Sequence, residues 1–235
     1  LYDAQAERLL EIPPAIKNKN TNIDFLVLEE VWHKSKQKMF QDLGTVWKYK
    51  TKTVSNTFSV ESSGVFILSK TRIIEEDSII FSQGTSWDYW ACKGVTYIKT
   101  KVRGDIVHLF ATHMQASYGD PESSDQIKYS KIRRQQINEL KKFIKSKHIP
   151  LDELVVVAGD FNIHQESKEF KVIQHSLKPL EADSFNHKPT FNTKNQLMKM
   201  SCTSNKNNDC KKCKDQIIDY VFILQNYRKP KHILI

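Results

Sequence analysis

The segment from Val155 to Asn162 constrains the fold more than any other part of the chain. It reads VVVAGDFN, an apolar run that breaks at Gly159 and then presents Asp160 and Asn162. An apolar run of this length predicts a β-strand buried on both faces, and the glycine lets the backbone turn sharply at its end. Asp160 and Asn162 lie two residues apart, so on an extended backbone their side chains point the same way. The pattern predicts a polar site at a strand end, or more simply a strand followed by an Asx turn.

Four other segments repeat this combination of apolar strand and polar groups. They are Ile23 to Trp32, Gly64 to Lys70, Val107 to Ala116 and Ile217 to Leu224. Three of these segments carry Glu30, His113 and Asp219. Together with Asp160 and Asn162, these side chains lie near the ends of separate predicted strands. Such convergence predicts one shared site more strongly than any single motif does.

Helical periodicity separates the predicted strands. Residues 3 to 12 predict an amphipathic helix that packs on the sheet and is stopped by Pro13 and Pro14. Trp32 to Leu43 predicts a second helix and Ile127 to Lys147 a third, with apolar residues at helical spacing. The alternation of strands and helices predicts an α/β fold with a mixed sheet covered by helices, built as one domain over residues 1 to 235.

The chain is basic. It has 36 Lys and Arg against 27 Asp and Glu, a formal net charge of +9 and a pI near 9.2. This balance favours anionic partners such as membrane surfaces or nucleic acid, although charge spread along the chain is also typical of a solvated surface. No run approaches the length of a transmembrane helix, and the first residues lack a signal-peptide layout, so Leu1 is interpreted as a cut end after a leader.

The four cysteines are Cys92, Cys202, Cys210 and Cys213, and the last two form CKKC in a Lys- and Asn-rich stretch. A structural zinc site needs four ligands, and the chain has one CxxC pair. Two disulfides in an exported protein are therefore the expectation, with no pairing assigned. The stretch from 193 to 215 is predicted to be a long surface loop.

Three longer motifs carry a family resemblance. They are THMQASY (Thr112 to Tyr118), KGVTYIKTKVRGDIVHLF (Lys93 to Phe110) and RRQQINELKKFIKSKHIP (Arg133 to Pro150). With GDFN, they make the chain from about Ala6 to Leu224 resemble the endonuclease/exonuclease/phosphatase superfamily, and within it the secreted neutral sphingomyelinases of the bacterial type. The resemblance implies a four-layer α/β sandwich of two packed mixed sheets flanked by helices. It also implies hydrolysis of phosphate esters with a divalent metal.

The resemblance also implies roles for the site residues. Glu30 is expected to bind Mg²⁺, with Mn²⁺ or Co²⁺ as alternative ions, because hard cations prefer oxygen ligands. Asp160 would align the attacking water, and Asn162 would donate to a phosphate oxygen. His113 would stabilise developing charge or assist the leaving group. Asp219 would orient a general-base histidine.

The residues alone leave simpler interpretations open. Glu30 is also compatible with an exposed helix N-terminus, and Glu29 is expected to point to the opposite side of the strand. His113 is also compatible with a structural histidine. Asp219 within an apolar strand requires at least a hydrogen-bond partner.

The segment Gly84 to Gly94 reads GTSWDYWACKG and places Trp87, Tyr89 and Trp90 around Asp88. Aromatic faces beside a carboxylate are typical of a site for a quaternary ammonium, and choline is such a cation. The alternative is a loop anchored by buried aromatic rings.

The resemblance therefore implies a Mg²⁺-dependent phosphodiesterase that hydrolyses sphingomyelin to ceramide and phosphocholine by direct water attack. It predicts a secreted or extracellular monomer in peripheral contact with membranes and not with nucleic acid. A nuclease or inositol-phosphate phosphatase of the same fold is the enzymatic alternative. A catalytically silent lipid- or nucleic-acid-binding relative is the other. It is raised because residues 1 to 235 are expected to lack the first family strand, which ends in Asn, and the last, which contains Asp-His.

Overall fold

The computed structural model describes residues 5–19, 22–32, 36–52, 54–55, 62–119, 123–181, 188–195 and 214–231. The helices in these ranges are α1 (Gln5–Lys19), α2 (Lys36–Leu43), α3 (Asp125–Ser146) and α4 (Phe170–Leu177). The strands are β1 (Phe25–Leu28), β2 (Tyr49–Lys50), β3 (Phe66–Ser69), β4 (Ile73–Ile80), β5 (Gly94–Val102), β6 (Asp105–His113), β7 (Leu154–Asp160) and β8 (Asp219–Ile223). A 3₁₀ turn spans Ser86–Tyr89.

The strands form two sheets, which pack face to face. One sheet has the order β1-β3-β2 and the other β4-β5-β6-β7-β8. All neighbouring strands are antiparallel except β6 and β7, which are parallel. Small apolar and branched side chains fill the space between the sheets: Val65, Ile67, Ile98, Leu109, Ala111 and Ala158.

Each sheet is covered by helices on its outer face. Over the three-stranded sheet, α1 and α2 bury a cluster that includes Leu9, Met39, Leu43, Trp47 and Phe66. Over the five-stranded sheet, α3 and α4 bury a larger cluster that includes Phe110, Ile137, Leu140, Val157, Phe161 and Ile173. The order is helices, sheet, sheet, helices, so the predicted four-layer α/β sandwich is confirmed.

The parallel pair β6 and β7 positions the polar strand ends. Parallel neighbours need a crossover connection, and α3 supplies it. The carboxyl ends of both strands therefore meet at one sheet edge, where His113 lies opposite Asp160. The antiparallel strand β8 begins at the same edge, with Asp219 opposite Asp160. Three residues that are far apart in sequence become neighbours on adjacent strands.

The first helix is longer than predicted, because it continues through Pro13 and Pro14 to Lys19. A proline inside a helix removes a backbone hydrogen bond and costs about 3 kcal/mol. Leu9, Ile12 and Ile16 all contact the cluster over the small sheet. Burial of each such side chain contributes about 1.5–3 kcal/mol, so packing of this face offsets the cost of the prolines.

The second helix is shorter than predicted. Helix α2 begins at Lys36 and not at Trp32, while 33–35 lie outside the described residues.

Cys92 is buried with a free thiol, so the prediction of two disulfides is wrong at this residue. Cys202, Cys210 and Cys213, with most of the predicted loop 193–215, lie outside the described residues. None of the described helices combines the length and apolar character needed to cross a bilayer.

Gly159 allows the close contact between β6 and β7 at the site. Its φ of +137° is rarely adopted by residues with a side chain, and a Cβ there would lie 1.9 Å from the carbonyl oxygen of Thr112. A backbone atom cannot move aside as a flexible side chain can. The glycine in GDFN therefore brings Asp160 close to His113 without a gap between the strands.

We expect Gly159→Ala to destabilise the protein by about 3 kcal/mol or more, because backbone strain and overpacking each cost about 1–3 kcal/mol. Gly104→Ala is the matched control, since Gly104 also has a positive φ of +97° but a Cβ there meets nothing within 4 Å. The free energies of unfolding from denaturant titrations measure both. Equal losses in the two variants would show that strain alone, and not the contact with Thr112, makes glycine necessary.

Candidate active site

The candidate site lies at the sheet edge where β6 and β7 end and β8 begins. His113 and Asp219 flank Asp160 on the neighbouring strands. Glu30, just beyond the end of β1, interacts electrostatically with Asp160 and with Lys93, the residue before β5. The structure therefore brings the polar residues at these separate strand ends together, as the sequence predicted.

Asp160 and Asn162 form the turn that follows β7. The backbone N–H of Asn162 donates to Oδ1 of Asp160 at 2.7 Å, and Asn162 has a φ of +53°, a left-handed conformation that Asn tolerates. The Asn162 side chain donates through Nδ2 to the Met114 carbonyl at 3.0 Å. The Asx turn and the polar site are thus the same feature. Because Nδ2 carries two hydrogens, a second donation toward a ligand is available.

Two carboxyl groups at the site have raised pKa values. Burial raises the pKa of Asp160 to about 7, and the nearby Asp219 adds to the effect, while the hydrogen bond from Asn162 opposes it. Burial raises the pKa of Glu29 to about 8, with further contributions from Asp219 and Asp160. Negative charges concentrated in a partly desolvated place favour either a proton or a cation as counter-charge.

The expectation that Glu29 points away from the cleft is wrong, because its carboxyl group interacts with those of Asp219 and Asp160. The alternation of side chains that supported the expectation holds only within a strand, and β1 ends at Leu28. Glu30 then adopts a left-handed φ of +58°. Both glutamates consequently contribute to the charge at the site.

His113 is buried at the centre of the site and has a pKa well below its usual value, because burial and the nearby Lys93 ammonium both disfavour the imidazolium. Lys93 Nζ lies 2.9 Å from Nε2, so Nε2 accepts and the proton is assigned to Nδ1. Nδ1 is buried and has no hydrogen-bond partner among the described residues. The neutral ring makes the 3.7 Å separation from Asp160 a contact and not an ion pair. A buried N–H donor left without a partner is typical of a place that holds an ordered water or serves in catalysis.

Lys93 is a site residue that the sequence did not single out. It is buried, which lowers its pKa, and the carboxylate of Asp88 at 2.9 Å partly opposes that effect. Its ammonium also donates to the Met114 carbonyl at 2.9 Å. The same carbonyl accepts from Asn162, so Lys93 and Asn162 are held against one oxygen. A lysine beside a glycine carries no local signal of burial, and the only available indication was its place in a family motif.

Asp88 does not face the three aromatic rings as predicted. Its carboxylate is buried and accepts hydrogen bonds from Gln115 Nε2, the Ala116 backbone N–H and the Tyr118 hydroxyl, in addition to pairing with Lys93. In the 3₁₀ turn, residue 88 points inward while its neighbours point outward. Asp88 is therefore a structural anchor and is not available to a choline group.

The rings of Trp87, Tyr89 and Trp90 are exposed. The alternative of a loop anchored by buried aromatic side chains is also wrong, because the buried Asp88 anchors this turn. Tyr89 and Trp90 pack edge to face at 5.1 Å between ring centroids. The three rings remain free to contact a ligand, and their role in choline binding stays a prediction.

The donor chemistry of the site fits a hard divalent cation. Glu29, Glu30, Asp160 and Asp219 supply carboxylate oxygens. The pKa values of Glu29 and Asp160 are raised by burial first and by the neighbouring carboxylates in addition. Among the described residues, no three His, Cys, Asp or Glu side chains are already arranged around a single metal position. The metal is therefore a proposal that rests on the type and charge of the donors.

Comparisons with known proteins agree with the fold and with the family resemblance. The model of the Endonuclease/Exonuclease/phosphatase family matches residues 3–222. A phospholipase C of Staphylococcus aureus is 28% identical over 186 residues, 79% of this chain and 53% of that protein. A sphingomyelinase C of Listeria ivanovii is 28% identical over 183 residues, 77% of this chain and 51% of that protein. The chain thus spans about half the length of these curated relatives.

A solved structure agrees with the same assignment. The crystal structure of a beta toxin mutant from Staphylococcus aureus with bound magnesium ions has a TM-score of 0.81 and 24% identity, and the match covers 97% of this chain and 80% of that one. Its likeness establishes the fold. With the family match over nearly the whole chain, the predicted relationship is confirmed, and the chain belongs to the endonuclease/exonuclease/phosphatase family.

Proposed function

We propose that the protein is a Mg²⁺-dependent phosphodiesterase that hydrolyses sphingomyelin to ceramide and phosphocholine. The observation that carries this proposal is the alignment of His113, Asp160 and Asp219 across three strands at one sheet edge. A relative named sphingomyelinase C supports the choice of substrate. Each role below follows from the chemistry of the side chain and its neighbours.

Glu30 would hold the cation, and Glu29 and Asp160 would add negative charge around it. Mg²⁺ bound there would polarise the phosphate and neutralise charge that develops on its oxygens. The magnesium ions of the S. aureus beta toxin structure support this choice of metal.

The other side chains act on the phosphate and the water. Asp160 would accept a hydrogen bond from the attacking water and so orient it. Asn162, fixed by its bond to the Met114 carbonyl, would donate its second Nδ2 hydrogen to a phosphate oxygen. His113 would donate its unused Nδ1–H to charge developing on the phosphate or the leaving oxygen. Donors that are already positioned need no reorganisation during the reaction.

Asp219 would orient a general-base histidine. In the described part of the chain, no histidine forms a hydrogen bond or an ion pair with its carboxylate, and we propose that the base is a histidine outside the described residues. Trp87, Tyr89 and Trp90 would contact the choline group of the substrate. We place the reaction at an extracellular membrane surface and expect a monomer without a nucleic-acid partner.

The function is tested by hydrolysis assays on the protein. We expect release of phosphocholine from sphingomyelin vesicles with Mg²⁺ and none after chelation, because the carboxylates alone cannot neutralise phosphate charge. Plasmid DNA and inositol phosphates serve as competing substrates. Faster cleavage of either would favour the nuclease or phosphatase alternative, and inactivity on all three would favour a silent binding relative.

We expect Glu30→Gln to abolish this Mg²⁺-dependent turnover and to weaken Mg²⁺ binding by on the order of 10–100-fold or more, because it removes a ligand charge with almost no change in volume. Isothermal titration calorimetry measures the affinity. Glu181→Gln, at an exposed position, is the matched control. Unchanged Mg²⁺ affinity in Glu30→Gln, with a loss in Glu29→Gln, would move the ligand role to Glu29.

Two substitutions of His113 distinguish its nitrogen atoms. Asparagine can place an N–H near the position of Nδ1, whereas glutamine places its amide near Nε2. If the Nδ1–H acts on the phosphate, we expect His113→Gln to lower kcat by roughly 10²–10³-fold and His113→Asn to lower it less. Single-turnover rates and vesicle binding are measured together. Near wild-type kcat in His113→Gln would remove His113 from the catalytic residues.

We expect alanine at Tyr89 or Trp90 to weaken the preference for sphingomyelin over ceramide phosphoethanolamine, by about 0.5–2 kcal/mol for a lost cation–π contact. The ratio of kcat/KM for the two lipids measures this preference, and Tyr49→Ala, an exposed ring elsewhere, is the control. An unchanged ratio would leave these rings without a role in headgroup selection.

A further inference from the structure

The 3₁₀ turn presents an unusually exposed set of large rings. Trp87 is 80% exposed, Tyr89 65% and Trp90 52%. Neighbouring Ile127, at the start of α3, is 61% exposed. Apolar surface of this kind is costly in water and is typical of a binding surface. We refer to Trp87, Tyr89, Trp90 and Ile127 as the aromatic patch.

Helix α3 continues from this patch as a basic surface. Its exposed cations lie within about a third of the helix circumference: Lys128, Lys131, Arg134, Lys142 and Lys145. Within the ranges that the structure describes, none of these five makes a salt bridge. Unpaired cations on one helix face favour an anionic partner over a merely solvated surface.

The aromatic patch and the basic helix face form one continuous surface. An open groove of about 640 Å³ is lined by Tyr89 from the turn and by Ile127, Lys128 and Lys131 from α3. Aromatic and branched apolar side chains bordered by lysines suit the interface between lipid headgroups and acyl chains.

We propose that this surface docks the protein on a bilayer that contains anionic phospholipid, with the aromatic patch inserted among the headgroups and the basic face of α3 lying against the charged surface. Trp and Tyr favour the headgroup region because each has an apolar body and a polar atom. Lysines close to an anionic leaflet each add attraction that falls off within a Debye length. The patch and the lysines therefore act on the same partner.

The arrangement of the rings favours a lipid surface over a single-stranded nucleic acid. Nucleic-acid grooves interleave basic residues with separate rings on which successive bases stack. Here the rings and Ile127 gather at one end of the cationic face. Tyr89 and Trp90 also lie edge to face with an interplanar angle of 88°, which occupies the space that a base would need between them.

The docking surface adjoins the candidate site through Asp88. The patch residues flank this anchor, and Asp88 pairs with Lys93, which contacts His113. Resting on the proposed function, the surface would hold the site next to the lipid substrate. Docking itself requires no hydrolysis and is measured separately.

The test is flotation of the protein with phosphatidylcholine vesicles that contain or lack phosphatidylserine, all without sphingomyelin. We expect binding to the anionic vesicles and its loss at high salt. The double variant Lys128→Gln/Lys131→Gln should bind roughly 25-fold more weakly, at about fivefold for each lysine. Trp87→Ala should also weaken vesicle binding severalfold and lower the fraction of bound protein that remains on the vesicles at high salt.

Two control variants make the same kind of change outside the proposed surface. Lys101→Gln/Lys229→Gln removes the same charge from exposed positions outside α3, and Leu151→Ala truncates an exposed apolar side chain that is also outside the helix. We expect both controls to bind as the wild type does. The Lys128/Lys131 variant should keep its turnover of sphingomyelin dispersed in detergent micelles while losing turnover on anionic vesicles.

Three results would overturn the proposal. The first is that the wild-type protein fails to bind anionic vesicles at low salt. The second is that the lysine variant and its control lose the same amount of vesicle binding. The third is that single-stranded DNA binds tightly through Lys128 and Lys131 while vesicles do not bind. Vesicle binding without any hydrolysis would support the surface and contradict only the proposed function.

Discussion

The parallel pairing of β6 with β7 is the constraint on which the rest of the site depends. It brings the last residue of each strand to one edge and leaves the side chains of His113 and Asp160 side by side. The pairing needs a glycine where the backbones approach, and it needs α3 as the crossover between the strands. The helix that makes the topology feasible also contributes the basic face, so the fold, the site and the proposed docking surface share one element.

A buried charge network complements this backbone frame. Lys93 is removed from water and is compensated by Asp88, which is itself satisfied by three further donors. Removing one partner of such a buried pair is costly, because the remaining charge is left without either a counter-charge or hydrating water. The network assigns the His113 proton to Nδ1 and holds the 3₁₀ turn Ser86–Tyr89 in place. One buried pair therefore positions both the histidine and the exposed rings of that turn.

The sequence predicted the parts of the fold that rest on strong local patterns. The buried strand β7, the long amphipathic α3 and the polar strand ends were recognisable from periodicity and from GDFN. What failed depended on tertiary context. Alternation along β1 could not place Glu29, because the strand stops before it. The pattern at residues 87 to 90 could not reveal that the carboxylate turns inward, because its partners lie in other segments. The prolines of α1 read as a stop, since packing on the small sheet was not visible.

The carbonyl oxygen of Met114 has a consequence for how sites of this kind are traced through evolution. It accepts from both Lys93 and Asn162, yet it belongs to the main chain, and its own side chain is fully buried among apolar residues. Any apolar residue of similar size could supply the same oxygen. A comparison of sequences would record only a hydrophobic position there. The acceptor that links Lys93 to Asn162 could therefore not be recognised from the type of residue at position 114.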